Sequence, residues 1–361
     1  MTSLTTSDRK FLVLITGASG FVGSAVALEF LRLGHSVRLP LRRQEQIDAW
    51  KATNGKGFEG KVDYTLLEGD MWIPGVFDEA IKGVDAVAHV ASAGPMIKTD
   101  AETDILKPAI DGTLSILESA KKASSVKAVA VTSSVGAYAS IPDLSAKSGI
   151  VLNEKSWNST TYEEAAACKP EMGYVAYLAS KGLAEEAALD FAKQPDVHFS
   201  LSTHAPALIL GWNHDPSYTS PDKARSSIQV ALQHIWNKKT LASDEFVPVR
   251  SLPLSDFVLV QAVAHPLLLC TGPSGKRYLL IGAKASWERI IRCMIKTHPQ
   301  LKNHLPAVSE EVGVGENKEA KYEIEAGRYE RDFGNGYEDF EKTVEAFGKQ
   351  LYQVAEAGGQ V

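Results

Sequence analysis

The chain of 361 residues is poor in cysteine and has no long hydrophobic run. Its three cysteines, Cys168, Cys270 and Cys293, are odd in number and show no Cys-x-x-Cys spacing, which argues against a disulfide framework and favours reduced thiols. No apolar run approaches the ~20 residues that span a bilayer. The polar first ten residues lack the apolar core of a signal peptide. We therefore expect a cytoplasmic protein with no membrane partner.

Several classes of function are disfavoured by other features that the sequence does not contain. A net charge of −6 is at odds with the basic face that duplex nucleic acid requires, so no nucleic-acid partner is expected. The nine histidines form no His-Glu-x-x-His motif and no close cluster, so no metal is expected. The Gly-x-Ser-x-Gly turn of esterases is also missing. The composition, 44% hydrophobic and 23% charged, is typical of a globular protein.

Strand-like and helix-like segments alternate through the first two thirds of the chain. The candidate strands span residues 11–16, 36–42, 62–67, 86–91, 126–132 and 199–210. The candidate helices span residues 21–33, 76–82, 101–123 and 174–193, with another from about residue 44. This alternation predicts an α/β fold with a doubly wound parallel sheet, in which ligands bind outside the carboxyl ends of the strands. Beyond about residue 211 the pattern is less regular, with helices predicted over 224–238, 255–264, 286–297 and 337–357.

A glycine-rich turn, Gly17-Ala18-Ser19-Gly20-Phe21-Val22-Gly23, follows the first predicted strand and opens a helix. Glycines in this context permit a tight turn and a close approach of the backbone to a pyrophosphate, which the helix N-terminus stabilises. The weaker alternative is a strand-to-helix turn that binds nothing. The predicted cofactor-binding residues of this turn are Gly17, Ser19, Gly20, Phe21, Val22 and Gly23.

The second predicted strand ends at Arg42-Arg43, where a site for NAD would place an acidic residue against the ribose. An arginine can instead bind a 2′-phosphate through two hydrogen bonds, so we predict that Arg42 binds NADP(H). The alternative is that Arg42 and Arg43 are a solvated strand end that binds no cofactor. Pro40 removes a backbone donor and predicts a short or bulged strand. Asp70 and Met71 close the third strand at a position suited to the adenine ring, although a helix cap and a packing methionine are an equally open interpretation.

Tyr177 and Lys181 lie four residues apart on a predicted helix and therefore share one face. A tyrosine there can donate its phenolic proton, and a neighbouring ammonium lowers the pKa of the phenol. Ser133 and Ser134 end the fifth predicted strand, where a hydroxyl can hydrogen-bond a substrate carbonyl. These residues predict a Ser/Tyr/Lys set beside a nicotinamide cofactor.

With these motifs in this order, the chain resembles the extended short-chain dehydrogenase/reductase family. Within that family it is most similar to fungal NADPH-dependent carbonyl and aldehyde reductases and to dihydroflavonol-reductase-like enzymes. The likeness rests on the glycine turn, the arginine-ended strand, Asp70-Met71, the serine pair and the YLASK motif at 177–181. It implies a Rossmann-type fold in which Ser134 polarises a carbonyl, Tyr177 is the general acid, and Lys181 lowers the tyrosine pKa and binds the nicotinamide ribose.

The resemblance also implies further contacts and a division of the chain. The residues implied near the ribose and nicotinamide are Ala91, Ser92, Ser133 and Pro206. The residues implied in the substrate pocket, each equally open to plain packing, are Met96, Tyr138 and Tyr174. Residues 1–210 are expected to form the dinucleotide-binding domain with the catalytic set. Residues 211–361 are expected to form a smaller, mostly helical, mainly substrate-binding region, and elements of the two can interleave.

The function expected from these features is NADPH-dependent reduction of a ketone or aldehyde to an alcohol, with a small carbonyl compound as the partner. One alternative is a nucleotide-sugar epimerase of the same superfamily, which is disfavoured because Ala109 and Ser115 stand where such enzymes usually carry asparagines. Another is a non-catalytic NADP-binding sensor or scaffold, which has no need of an intact Ser/Tyr/Lys set. The identity of the carbonyl, the direction of the reaction and the oligomeric state stay open.

Overall fold

The computed structural model describes residues 10–94, 96–140, 150–238, 256–259, 274–308, 322–334 and 337–361. Its strands are β1 (Leu12–Thr16), β2 (Ser36–Leu41), β3 (Val62–Leu66), β4 (Ala86–His89), β5 (Ala128–Thr132), β6 (Ile150–Leu152), β7 (Ser200–Pro206), β8 (Leu208–Leu210), β9 (Asp256–Leu259), β10 (Lys276–Leu280), β11 (Ala283–Lys284) and β12 (Tyr322–Ile324). Its α-helices are α1 (Phe21–Arg32), α2 (Gln44–Ala52), α3 (Lys107–Lys122), α4 (Tyr162–Ala166), α5 (Gly173–Phe191), α6 (Ser226–Ile235), α7 (Trp287–Thr297), α8 (Gly327–Phe333) and α9 (Phe340–Ala357).

Seven strands form a parallel sheet in the order β10-β7-β5-β4-β1-β2-β3. The chain runs outward from β1 to β3 on one side, then returns to β4 and continues outward on the other side. The strand order therefore reverses between β1 and β4, whose last residues Thr16 and His89 are paired. A crevice forms at such a switch point, so the predicted ligand-binding edge lies there.

The sheet is buried on both faces, as its helix-covered parallel strands require. Side chains alternate along β1, so that Val13 and Ile15 pack in one apolar cluster with α1 while Leu14 packs in another with α3. The helix α5, rich in alanine, lies against α3 and buries most of its length. This packing holds the face that carries Tyr177 and Lys181 against the end of the sheet.

The structure confirms the predicted Rossmann-type sheet and differs from the sequence expectations in several elements. Strand β10 was not expected. The hydrophobic periodicity of so short an apolar run cannot distinguish a strand from a helix. Residues 76–82 form successive turns, with Asp78 N–H donating to the carbonyl oxygen of Gly75, and not the expected helix. β2 continues through Pro40, which pairs with Thr65 of β3, so the expected short or bulged end was wrong.

The last third of the chain contributes to three sheets. β10 completes the edge of the seven-stranded sheet, β9 and β11 form a three-stranded sheet with β8, and β12 pairs with β6. The helix expected over 255–264 was wrong where it overlaps β9, and its remaining positions lie outside the described residues. Elements on both sides of residue 210 therefore share the same sheets. Of the helices that the structure describes, none has the length and apolar character needed to cross a membrane.

Candidate active site

A cavity of about 540 Å³ opens at the carboxyl ends of the parallel strands, beside the point where the strand order reverses. This volume is in the usual range for small-molecule and cofactor sites. The predicted site residues that line it are Gly17, Ser19, Gly20, Phe21, Val22, Gly23, Arg42, Met71, Ala91, Ser92, Met96, Ser133, Ser134, Tyr174, Tyr177, Lys181 and Pro206. Two predicted residues, Asp70 and Tyr138, do not line it.

The glycine turn brings the start of α1 against the end of β1. Gly17 adopts a φ of +75°, a left-handed conformation that favours glycine. A Cβ atom on Gly23 would lie 2.2 Å from the carbonyl oxygen of Gly17, so only glycine permits this approach. No side chain among the described residues caps α1, and its first turn carries no acidic residue. Phe21 and Val22, whose N–H groups have no partner within a helix, line the cavity. This end of the site therefore suits a phosphate group.

Arg42 and Arg43 line the cavity just beyond β2. Nη1 of Arg42 lies 3.5 Å from Oδ1 of Asp70, and both side chains are about half exposed. Asp70 thus pairs with Arg42 and does not itself line the cavity. Exposed ion pairs of this kind are weak, so Arg42 remains able to bind a phosphate. Gln46 accepts a hydrogen bond from the backbone N–H of Arg42 and donates one to Oγ of Ser19, each at 3.2 Å.

A buried threonine joins the ends of β1 and β4. Oγ1 of Thr16 accepts hydrogen bonds from the backbone N–H groups of Val90 and Ala91, both at 3.1 Å, and lies 3.0 Å from Nδ1 of His89. Burial lowers the pKa of His89 to about 3, with a smaller contribution from the charge of Lys181. His89 is therefore neutral at physiological pH and acts as a packed strand residue, while Thr16 binds the backbone of Ala91 to the end of β1.

The two serines at the end of β5 have different partners. Oγ of Ser133 donates to Oε2 of the buried Glu185 at 2.5 Å. Oγ of Ser134 accepts a hydrogen bond from the backbone N–H of Gly136 at 3.2 Å, in the short 3₁₀ turn Val135–Ala137. Because this contact uses a lone pair of Ser134, its O–H remains available to a carbonyl oxygen in the cavity.

Tyr177 and Lys181 stand on the face of α5 that meets the end of β5. Nζ of Lys181 lies 5.7 Å from the centre of the Tyr177 ring and donates a 3.4 Å hydrogen bond to the carbonyl oxygen of Thr132. Burial raises the pKa of Tyr177 to about 12. Burial also lowers the pKa of Lys181 to about 8, against the opposing influence of Glu185. Burial disfavours the charged form of both groups, and the lowering of the tyrosine pKa by the lysine stays a prediction.

An apolar wall surrounds Tyr177 at the other end of the cavity. Leu152 and Ile324, paired across β6 and β12, pack in one cluster with Tyr174 and Tyr177, and all four line the cavity. The rings of Tyr174 and Tyr177 are 6.0 Å apart. Met96 adds a side chain that is 62% exposed. This wall offers apolar surface to a substrate and leaves Tyr177 half-buried.

Tyr138 lies beneath this wall and not in it. Its side chain is 1% exposed, and its ring packs against the guanidinium of Arg277 at 4.0 Å. The turn Val135–Ala137 rotates the chain before Tyr138 and directs the ring into the protein. The expectation that Tyr138 lines the substrate pocket is therefore corrected.

Sequence reasoning missed several lining residues. Those from the start of α6 and the segment before it are Arg225, Ser226, Ser227, Gln229 and Val230. Gln46 and Ile324 were also missed. Only Gln46 had a usable signal, since it stands in the first turn of the helix after Arg43. Within the part of the chain that the structure describes, no three histidine, cysteine or acidic side chains gather as a metal site.

Comparison with known proteins identifies relatives for most of the chain. Residues 13–203, more than half of the sequence, match the model of the NAD dependent epimerase/dehydratase family. The ketoreductase azaE of Aspergillus niger is 33% identical over 307 residues, which cover 81% of this chain and 84% of that protein. A Candida albicans protein provisionally named an NADPH-dependent methylglyoxal reductase is 27% identical over 340 residues, covering 92% of this chain and 96% of that protein.

A third relative matches over a shorter part of its length. An uncharacterised Schizosaccharomyces pombe protein, provisionally named an oxidoreductase, is 35% identical over 226 residues, which cover 62% of this chain and 64% of that protein. Among solved structures, Gre2 of Candida albicans in complex with NADPH superposes with a TM-score of 0.80 and 24% identity, covering 95% of this chain and 99% of that one. At this level of identity the superposition establishes the fold.

Proposed function

The chain belongs to the NAD dependent epimerase/dehydratase family, and we propose that within it the protein is an NADPH-dependent reductase of ketones or aldehydes. The observation that carries the proposal is a single cavity that holds an uncapped helix N-terminus, the Arg42-Arg43 pair and the side chains of Ser134, Tyr177 and Lys181. The names of two relatives, a ketoreductase and an NADPH-dependent methylglyoxal reductase, support the class of reaction and the cofactor.

The residues present fit a phosphorylated dinucleotide. The N–H groups at the start of α1 would bind the pyrophosphate, and Arg42 would bind the 2′-phosphate. Met71 and Ala91 would border the adenosine and ribose groups, with Asp70 acting only through its contact with Arg42. Ser92, Ser133, Lys181 and Pro206 would lie along the nicotinamide half. When bound, the cofactor supplies the hydride.

Ser134 and Tyr177 would act together on the oxygen of the substrate carbonyl. The free O–H of Ser134 would hydrogen-bond that oxygen and orient it toward the tyrosine. Tyr177, with its pKa raised to about 12 by burial, holds its proton at neutral pH and would release it to the oxygen as negative charge develops there. The ammonium of Lys181 would stabilise the phenolate that remains. Leu152, Tyr174 and Ile324 would exclude water from this transfer.

The assignment of Tyr177 is tested by an NADPH-oxidation screen over aliphatic, aromatic and β-keto ester carbonyls. A positioned general acid contributes about 10²–10⁴-fold to the rate, so Tyr177→Phe is expected to lose turnover by that factor while binding NADPH normally. Tyr352→Phe is the matched control, since Tyr352 lies on α9 outside the cavity. If Tyr177→Phe keeps wild-type turnover, the assigned role is wrong.

The same screen distinguishes the alternative functions. A nucleotide-sugar epimerase would retain NAD tightly and show no net oxidation of added NADPH. A non-catalytic sensor would bind NADPH, giving a fluorescence change, and oxidise none of it with any carbonyl in the panel.

A further inference from the structure

A buried carboxylate lies directly behind the cavity, one helical turn beyond Lys181. The side chain of Glu185 on α5 is 0% exposed. It accepts three hydrogen bonds, from Oγ of Ser133 at 2.5 Å, from Oγ1 of Thr203 at 2.6 Å and from Nε of Arg277 at 2.7 Å. Glu185 therefore contacts one residue that lines the cavity and stands beside another, yet no motif in the sequence marked it.

Arg277, which forms the ion pair with Glu185, contacts two aromatic rings and two backbone carbonyl groups. The guanidinium carbon of Arg277 lies 3.6 Å from the ring centre of Trp157 and 4.0 Å from that of Tyr138. Nη1 of Arg277 donates to the carbonyl oxygens of Ser156 at 2.7 Å and Glu154 at 3.2 Å. Arg277 belongs to β10, so this ion pair joins the last strand of the sheet to the helix that carries Tyr177.

Stability alone does not explain this arrangement. Removing two charges from water costs free energy that their attraction often fails to recover, and apolar side chains of similar volume are often at least as stable. The chain nevertheless keeps an arginine that is 6% exposed against a glutamate that is 0% exposed. The residues that Glu185 contacts suggest that its role lies in the site.

We propose that Glu185 is a positioning residue, which fixes the orientation of the Ser133 hydroxyl and places a negative charge beside Lys181. This inference rests on the proposed function. Ser133 has one O–H, and because that proton is donated to Glu185, its oxygen acts toward the cavity only as an acceptor. Such an oxygen selects an N–H donor, for example the carboxamide of a nicotinamide.

The charge of Glu185 also acts on the lysine. Among the described residues, the titratable groups that face Lys181 are Tyr177 and Glu185 on its own helix and His89 on β4, with Arg277 of β10 behind the carboxylate. His89 is neutral, and burial already lowers the pKa of Lys181 to about 8. Glu185 opposes that shift, so removing its charge would lower the pKa of Lys181 further and leave less ammonium at neutral pH.

The test compares Glu185→Gln with Asp332→Asn. Asp332 accepts hydrogen bonds from Lys276 and Tyr278 in a second ion pair on β10, so its loss imitates a structural defect outside the cavity. Glu185→Gln is expected to lower kcat/KM by about 10- to 100-fold, as for a lost hydrogen bond to a charged group, and to move the alkaline limb of its pH profile to lower pH. Asp332→Asn is expected to lower the melting temperature without moving that limb.

A double-mutant cycle with Ser133→Ala tests the route through the serine. If Glu185 acts on Ser133, Ser133→Ala costs less in the Glu185→Gln background than in the wild type. The proposal would be overturned if the two substitutions had additive effects on kcat/KM and if Glu185→Gln left the alkaline limb of the pH profile where it is in the wild type.

Two further measurements keep the result interpretable. If Glu185→Gln does not fold, the double variant Glu185→Met/Arg277→Met replaces it. This variant removes both charges of the ion pair and is expected to fold, so kcat/KM and its pH profile can be measured on it instead. Titration of NADPH by protein fluorescence needs no turnover, and Glu185→Gln is expected to bind it more weakly, with the weakening increasing at alkaline pH. If the wild-type protein oxidises no NADPH with any carbonyl, the proposed function is rejected, but this binding test can still be carried out. If Glu185→Gln binds NADPH as tightly as the wild type at every pH, the positioning role of Glu185 is rejected.

Discussion

Replacing Gly23 by alanine is expected to destroy the packing of the glycine turn and with it the cofactor site. The added Cβ atom would lie 2.2 Å from the carbonyl oxygen of Gly17, 2.4 Å from its carbonyl carbon and 2.8 Å from the backbone nitrogen of Ala18. Ordinary contacts of a Cβ atom begin near 3.4 Å. All three neighbours are backbone atoms, so no side chain can rotate away. The helix α1 would have to move by about 1 Å from the end of β1.

The size of the effect follows from that displacement. Overpacking of a core costs about 1–3 kcal/mol, and a clash with rigid backbone belongs at or above the upper end of that range. A loss of ~3 kcal/mol corresponds to a fall in melting temperature of roughly 6–12 °C for a large domain. NADPH affinity should fall as well, because the N–H groups of Phe21 and Val22 move with the helix.

Two other glycines provide matched controls. A Cβ atom on Gly20 would lie 3.5 Å from the carbonyl oxygen of Gly17, so Gly20→Ala should fold normally but weaken NADPH binding by placing a methyl group in the phosphate site. At Gly112, within α3, no heavy atom of the described residues outside that helix's own backbone lies within 4 Å of the added atom, so alanine should keep or raise stability and leave NADPH binding unchanged. Thermal unfolding and a fluorescence titration of NADPH measure both properties. A Gly23→Ala variant with the wild-type melting temperature and affinity would refute the reasoning.

Two further predictions concern the cofactor and the pH. Arg42→Ala should weaken NADPH binding by about 10- to 100-fold and leave NADH binding nearly unchanged, and equal wild-type rates with the two cofactors would contradict the predicted preference. Burial lowers the pKa of His89 and of His204 to about 3 each, so the unfolded chain binds more protons below about pH 6.5 and stability falls as the pH falls. At pH 5 each histidine should cost about 2 kcal/mol, and a urea midpoint that is unchanged between pH 7 and pH 5 would contradict this.

The parts of the site that were predictable are those encoded by local spacing. The glycines of 17–23 and the pair Tyr177 and Lys181 each lie within seven residues of chain, where a turn or one face of a helix fixes their geometry. Arg42 and Ser134 follow from a second regularity, since the ends of parallel strands meet at one edge of a sheet, whereas Pro206 was implied only by the family resemblance. The sheet itself was predicted for the same reason, because alternating strands and helices admit few topologies.

The remaining features depend on contacts between distant parts of the chain. Ile324 reaches the cavity only because β12 pairs with β6, and short strands of this kind carry no clear period in the sequence. Arg277 contacts Glu185 although the two residues are 92 positions apart in the sequence, and no local motif around either residue predicts the contact. Tyr138 and Asp70 were misplaced for a related reason. Each follows a strand end of the right kind, but the ring of Tyr138 is buried against Arg277 and the carboxylate of Asp70 pairs with Arg42.

Burial raises the pKa of Tyr177, the proposed proton donor, and lowers the pKa of the neighbouring Lys181, and both shifts bear on the proposed reaction. Because burial raises the pKa of Tyr177 to about 12, the phenol keeps its proton at pH 7, which is the state that the proposed carbonyl reduction uses. Under the same proposal, oxidation of an alcohol would use Tyr177 as a phenolate, which burial disfavours. Lys181, whose pKa burial lowers to about 8, still carries its charge at pH 7 and is the group that we propose stabilises the phenolate after proton transfer. If the proposed roles hold, we expect the site to favour reduction over oxidation, with the carboxylate of Glu185 helping to keep Lys181 charged.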